Sequence, residues 1–292
     1  MAEQDNKSGL AKLKDYLRAR RENIKASISV ISYVTKPMSE GDQIDPRIVT
    51  HSDPRSHIAE QYRSIRTHLA SLSPGTPGMA FLITSALRGE GKTITASNLA
   101  MVFSQGVDQK TILVDADLRK PYVHRVFGLK RFPGLSEVLT GQHDLKSFTE
   151  NPTVGNLYIV PGGKTPANPV ELLASSRMKE VIKSLREQFD WIIFDVAPII
   201  PVTDPGVLGS ILEGSLLVVR AAKTQAVDVE KAYSLLLEAK ANPIGSVMTG
   251  VVTYIPYYLY RYRYIYTHHY YGPTDYSTDR TQIIRSEQKP SE

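Results

Sequence analysis

MAFLITSALRGEGKTITASNLA, residues 79–100, decides the fold of this 292-residue chain. The apolar run ending at Ser85 predicts a strand buried on both faces. Ala86, four residues, then Gly91, Lys92 and Thr93 match the P-loop pattern, with alanine at the usual first glycine. A predicted helix follows from about Lys92 to Gln105, so amide N–H groups at its N-terminus can converge on a phosphate. Lys92 would reach the β- and γ-phosphates, and the Thr93 hydroxyl would ligate Mg²⁺. Arg88, Gly89, Glu90, Gly91, Lys92, Thr93 and Ile94 are therefore the expected nucleotide contacts. Lys92 is expected to face solvent rather than the core.

Outward from this loop, apolar runs alternate with helical patterns. Strands are predicted in TILVDAD, LYIVP, WIIFDV, LLVVR and from Val247 to Val252, and helices at about 169–188 and 229–240. Such alternation means a mostly parallel sheet with helices on both faces, an α/β domain. Asp115 and Asp195 each end a strand, and Asp117 lies two residues beyond the first. All three carboxylates then emerge at the carboxyl end of the sheet, where ligands bind in open α/β folds. An acid at a strand end is often only a cap or turn former. Three such elements in P-loop order instead suit metal binding by Thr93, Asp115 and Asp195, with Lys92, Asp115, Asp117 and Asp195 as the catalytic set.

Composition removes other classes. With 41% hydrophobic residues, 19 glycines and 18 prolines, the chain is neither collagen-like nor wholly disordered. It has no cysteine, hence no disulfide framework or thiolate metal site. Its histidines show no H-x-x-x-H spacing, and neither H-R-D-L nor D-F-G occurs. No stretch approaches the ~18 uninterrupted apolar residues of a membrane span. The net charge of +5 is concentrated between Lys7 and Lys25, where seven basic residues face Asp15 and Glu22. Residues 1–50 read as a basic, poorly structured extension that could lie on an anionic membrane surface. Residues 51–253 read as the nucleotide-binding domain, and 254–292 as a tail.

That tail holds ten of the 16 tyrosines: Tyr254, Tyr257, Tyr258, Tyr260, Tyr262, Tyr264, Tyr266, Tyr270, Tyr271 and Tyr276. A hairpin edge, a nucleic-acid stacking platform and a set of phosphorylation substrates are three readings of it. The tyrosines fall on both parities of the run, and Pro256, Gly272 and Pro273 interrupt it, which argues against the first. The near-neutral remainder of the chain argues against nucleic acid. A phosphoryl-transfer site on the same chain favours the third, and Asp117 is then the candidate to accept the phenol's proton. From Ser56 to Leu72 an amphipathic helix carries Glu60, Arg63 and Arg66 on one broad face, where they could pair with one another or with a second chain.

The P-loop around Lys92, ILVDADLRKP, GLSEVLTG, NPVELLASSRM, FDVAP, VTD at Asp204 and the tyrosine-rich end together resemble the bacterial tyrosine kinases (BY-kinases) that accompany exopolysaccharide and capsule synthesis. The likeness implies a P-loop NTPase fold of the partitioning-ATPase type and ATP with Mg²⁺ as cofactors. It also implies a protein-tyrosine autokinase acting on its own tail, in trans within a ring oligomer. Glu60, Arg63 and Arg66 match the family's E-x-x-R-x-x-R motif for ring packing. The resemblance further implies a membrane-anchored polysaccharide co-polymerase as activator, a phosphotyrosine phosphatase in opposition, no nucleic-acid partner, and a cytoplasmic location at the inner face of the membrane. Leu87 stands where partitioning ATPases carry a signature lysine. Arg88 replaces a frequent proline, and FDVAP replaces the commoner Asp-Thr-Pro-Pro. The alternative reading is a nucleotide-switched ATPase that positions cargo, with the tail as a binding surface.

Overall fold

A computed structural model describes residues 27–30, 44–72 and 78–251. The basic arm at Lys7–Lys25 and the tyrosine tail lie outside the described residues. Seven parallel strands form one sheet: β1 (Ser27–Val30), β2 (Met79–Ser85), β3 (Thr111–Asp115), β4 (Leu157–Val160), β5 (Trp191–Asp195), β6 (Gly214–Arg220) and β7 (Pro243–Thr249). Their order is β1-β7-β6-β2-β5-β3-β4. From β2 the chain crosses beyond β5 to β3, and from β5 it crosses back to β6. The sheet's winding therefore reverses around β2, and the loop after β2 opens at that switch point, where open α/β sheets bind ligands.

Alternation along the strands splits the core into layers. Phe81, Ile83, Leu113 and Ile193 point to one face, against α2 (His57–Leu72) and α3 (Lys92–Ser104). Ala80, Leu82, Ile112, Val114 and Phe194 point to the other. There they meet α5 (Leu135–Leu139), α7 (Pro169–Leu173), α8 (Ser176–Arg186) and α9 (Asp204–Gly209). Leu217, Val219 and Met248 pack beneath α10 (Ala226–Glu238). Three more short helices, α1 (Val49–Ser52), α4 (Val123–Val126) and α6 (Lys146–Thr149), complete the described elements.

Four expectations change. The boundary at residue 50 moves, because β1 pairs in register with β7 from Ser27↔Gly245 to Val30↔Met248, and residues 44–53 strap the P-loop helix. The Asn98 side chain of α3 accepts from the Thr50 amide at 3.2 Å and donates to the Arg47 carbonyl at 3.0 Å, while Ile48 is buried. This cover explains why α3 is buried almost all round. The helix expected at 169–188 breaks, because Ser175 Oγ accepts the Met178 amide at 3.2 Å and caps α8 afresh. The last helix begins earlier, at Ala226. The last strand also begins earlier, at Pro243, where β7 joins β6.

Candidate active site

The loop between β2 and α3 turns through two left-handed residues, Gly89 (φ 78°) and Gly91 (φ 96°), and Gly91 caps α3. A side chain at either φ would be strained, which is why glycine occupies both. The loop is braced from behind. Glu90 is buried, its Oε2 accepting the Leu87 amide at 3.1 Å and its Oε1 accepting the Thr224 hydroxyl. Thr249 Oγ1 donates to the Glu90 carbonyl at 2.7 Å, and Arg220 donates to the Gly89 carbonyl at 2.9 Å. Burial pushes the Glu90 carboxyl above its usual range despite these donors. Of the expected nucleotide contacts, Arg88 is exposed, Ile94 sits in the core, and the Glu90 side chain turns inward. For Glu90, that leaves the backbone amide to offer to a phosphate.

Parallel pairing brings the three strand-end acids together. Asp115 and Asp195 are direct register partners on β3 and β5, and Ile83 of β2 pairs with Asp195 on its other side. Lys92, at the start of α3, reaches into this group: its Nζ is 2.8 Å from Asp117 Oδ2 and 3.6 Å from Asp195 Oδ1. Its side chain is only 13% exposed. The expectation that Lys92 faces solvent is therefore corrected. Among the described residues, no other cation forms an ion pair with Asp117 or Asp195. Burial alone would depress the Lys92 pKa, but Asp195 and Asp117 outweigh that and hold it above the ordinary lysine value.

Asp115 does two things. Its Oδ2 accepts the amides of Tyr122 at 2.9 Å and Val123 at 3.0 Å, so it anchors the start of α4. Its Oδ1 is buried without a hydrogen-bond partner, as are both Asp195 oxygens. Burial first, and then the charge of Asp195, pushes Asp115 well above the usual carboxylate range. Burial likewise raises Asp195, outweighing relief from Lys92 and Thr93. The unpartnered buried oxygens of Asp115 and Asp195, the latter beside Thr93, fit a divalent cation, which would add to the positive charge of Lys92. Among the described residues no group of three or more His, Asp or Glu side chains is arranged to hold a metal unaided. The residues present therefore fit Mg²⁺ arriving with nucleotide phosphates rather than an all-protein cage.

Two features had no legible signal. Arg119 forks onto fully buried Asp204, Nε to Oδ2 at 2.8 Å and NH2 to Oδ1 at 2.9 Å, tying the Asp117 loop to α9. The partners lie 85 residues apart, and no local pattern links them. The Thr224 and Thr249 braces are equally remote in sequence.

The arginine helix is satisfied within its own chain. Arg63 donates to Glu60 Oε2 at 2.8 Å and to the Pro54 carbonyl at 2.7 Å, while Arg66 donates to the Val102 carbonyl near the end of α3 at 2.9 Å. Among the described residues, no helix is long and apolar enough to cross a membrane.

Comparison with known proteins agrees with this geometry. A family model described as an AAA domain matches residues 83–220. Tyrosine-protein kinase YwqD of Bacillus subtilis is 37% identical over 212 residues, covering 73% of this chain and 89% of YwqD. The kinase domain of Escherichia coli tyrosine kinase ETK superposes with a TM-score of 0.72 at 30% identity, over 79% of this chain and 92% of that one. The chimerical protein CapA2B2 superposes with a TM-score of 0.71 at 25% identity, over 82% of this chain and 99% of that one. A largely enclosed P-loop lysine among Asp117 and the strand-end Asp115 and Asp195, on a fold shared at this identity with named kinases, leads to one assignment: the chain belongs to the bacterial tyrosine-protein kinases, the BY-kinases.

Proposed function

We propose that this kinase phosphorylates tyrosines of its own residues 254–276, in trans between neighbouring copies, using Mg·ATP. The observation that carries the reading is the ion cluster of Lys92 with Asp117 and Asp195. A tyrosine phenol, with an ordinary pKa of about 10, needs an acceptor for its proton at neutral pH. Lys92 Nζ donates to Asp117 Oδ2 at 2.8 Å. Nucleotide phosphates compete for the same ammonium, so Lys92 leaves Asp117 as it engages them. Asp117 Oδ2 is thereby released to take the phenol's proton only when nucleotide is bound. The phenol oxygen then attacks the γ-phosphorus, and ADP departs. Thr93, Asp115 and Asp195 would hold Mg²⁺, which would supply positive charge to the transferring phosphoryl group.

The arrangement in trans rests on Glu60, Arg63 and Arg66 as a ring contact that exchanges their internal partners for those of a neighbour. A neighbour's tail then reaches the site at high effective concentration. Each phosphate adds about −1.5 to −2 charges, so accumulating phosphotyrosine repels adjacent tails and loosens the ring. Regulation of capsule or exopolysaccharide synthesis, activation by a membrane-anchored co-polymerase that brings the kinase to the inner membrane face, and reversal by a phosphotyrosine phosphatase complete the proposal. The similarity to YwqD and ETK, both named as tyrosine kinases, supports the kinase part of the proposal.

Mixing a Lys92→Met protein that keeps its tail with a wild-type protein ending at Val251 tests the reading. Phosphotyrosine should form on the Lys92→Met tail in the presence of Mg·ATP. Absence of label there, with full-length wild type labelling its own tail in a parallel reaction, would rule out transfer between copies.

A further inference from the structure

A second surface adjoins the site, built by residues 118–136 after β3 and 161–170 after β4. The two segments interlock: Arg131 Nε donates to the Gly163 carbonyl at 2.9 Å, and the Gly163 amide returns a bond to the Arg131 carbonyl at 3.1 Å. Pro121 packs so closely on Gly162 that a Cβ there would fall 2.6 Å from the proline ring. Neither segment contains an acid. Lys120, Arg125, Lys130, Arg131 and Lys164 are all exposed. Of the flanking acids, Asp115 turns onto the amides of Tyr122 and Val123, Glu137 onto those of Gly134 and Lys164, and Asp117 onto Lys92 and the Lys120 amide, while Glu171 is exposed at the far edge. Burial first, and then the charges of Arg125 and Arg131, hold His124 below the usual histidine range, so positive potential from both arginines reaches the same point.

The surface also presents rings. Phe132 is 54% exposed with the Lys164 ammonium 5.1 Å from its centroid, and Tyr122 is 38% exposed with the Arg125 guanidinium 5.8 Å from its centroid. Cations beside exposed aromatic faces match a ligand that is itself an aromatic ring bearing a dianion. The patch begins at the transfer centre, because the Lys120 amide donates to Asp117 Oδ1 at 3.0 Å.

We propose that this surface binds phosphotyrosine in the tail of a second copy of this chain, holding a once-phosphorylated tail beside the site for further transfer. The inference rests on the reading that tail tyrosines are phosphorylated. The occupant follows from charge. Residues 254–276 carry Arg261 and Arg263 against Asp275, so the unmodified segment is weakly repelled. One phosphate reverses its sign. Lys164 and Arg125, each already placed over a ring, would close on the phosphate while Phe132 and Tyr122 flank the aryl group.

The test uses synthetic peptides spanning residues 254–276, with and without phosphate on Tyr258, against dephosphorylated full-length protein without nucleotide. Fluorescence anisotropy should show the phosphopeptide binding about tenfold or more tighter, as expected for charge-assisted contacts at two cations. Lys164→Glu combined with Arg125→Glu should erase that preference while leaving phosphorylation of an unmodified tail intact, and Lys231→Glu on α10 should change neither. Equal binding of the two peptides, or a preference that survives the double reversal, overturns the proposal. So does displacement by ADP, which would place the phosphate in the P-loop. Loss of phosphatidylserine-vesicle binding in the double variant with unchanged phosphopeptide binding would instead make the patch a membrane surface. Because the peptides are synthetic, failure here is separate from failure of autophosphorylation, which is read as absent phosphotyrosine after incubation with Mg·ATP.

Discussion

Lys92→Met should destabilise the nucleotide-free protein strongly, and more at pH 8 than at pH 5.5. The ammonium lies 2.8 Å from Asp117 and 3.6 Å from Asp195, with Asp115 paired to Asp195 across the strands. Removing it leaves three carboxylates together without a cation. Breaking a buried ion pair by deleting one partner costs about 3–5 kcal/mol, and slight solvent access to Lys92 argues for the lower end, about 3 kcal/mol. At about 2–4 °C per kcal/mol for a domain of this size, Tm should fall by roughly 6–12 °C at pH 8. The sign with pH follows from the carboxyls. Asp115 and Asp195 already have folded-state pKa values above their unfolded ones, and without Lys92 these rise further. Their protonation favours the folded state, so that contribution is present at low pH and is lost as pH rises through the folded values. The gap between variant and wild type should therefore narrow on acidification. Thermal denaturation followed by circular dichroism in EDTA, at both pH values, measures it. Adding Asp117→Asn to Lys92→Met should recover part of the loss. Equal Tm values at pH 8, or a gap independent of pH, would refute the ion-cluster reasoning.

Asp195→Asn should abolish autophosphorylation yet raise the stability of the nucleotide-free protein by about 1 kcal/mol, because it removes one of three crowded charges; urea titration and an anti-phosphotyrosine blot check the two halves. Arg119→Ala should cost about 3 kcal/mol by uncovering buried Asp204, and Arg119→Ala with Asp204→Asn should recover much of it in the same titration. Thr224→Val takes one hydroxyl donor from buried Glu90, a loss of about 1–3 kcal/mol that should weaken nucleotide binding about fivefold in calorimetry by loosening the P-loop. Arg47→Ala should weaken the strap over α3. Although burial opposes it, Arg47 holds Asp45 below the usual carboxylate range, a contribution present at neutral pH and lost as pH falls through the folded value. Urea midpoints at pH 7 and pH 3 should therefore differ less in Arg47→Ala than in wild type.

Lys92 and Arg66 show how one helix serves both the site and the packing of the arginine helix. Lys92 opens α3 and Arg66 of α2 holds the carbonyl of Val102 near its end. A neighbour that drew Arg66 away would release that carbonyl, so the expected ring motif and the P-loop helix share a hydrogen bond. The same helix carries Asn98, which fixes the strap, and Phe103, whose ring packs 4.2 Å from that of Trp191 on β5. α3 is thus a common support for the loop, the strap and the central sheet.

Local chemistry was enough for the sequence to determine the strand–loop–helix at 79–100, the parallel character of the sheet, and acids at the ends of β3 and β5. A strand buried on both faces must be a continuous apolar run, and a loop that wraps phosphate must place glycines where φ is positive. Both conditions are written in neighbouring residues. Tertiary structure alone decided that β1 joins the sheet beside β7, because an edge strand of four residues has no pattern of its own until a partner backbone lies alongside it. It also decided that Lys92 is buried, since that requires Asp117 and Asp195 to arrive from strands on the far side of β2. The fork of Arg119 on Asp204 and the hydrogen bond from Thr224 to Glu90 join residues 85 and 134 positions apart. Such contacts arise from the order in which strands cross the sheet, and that order is a property of the folded chain's long-range packing rather than of any segment within it.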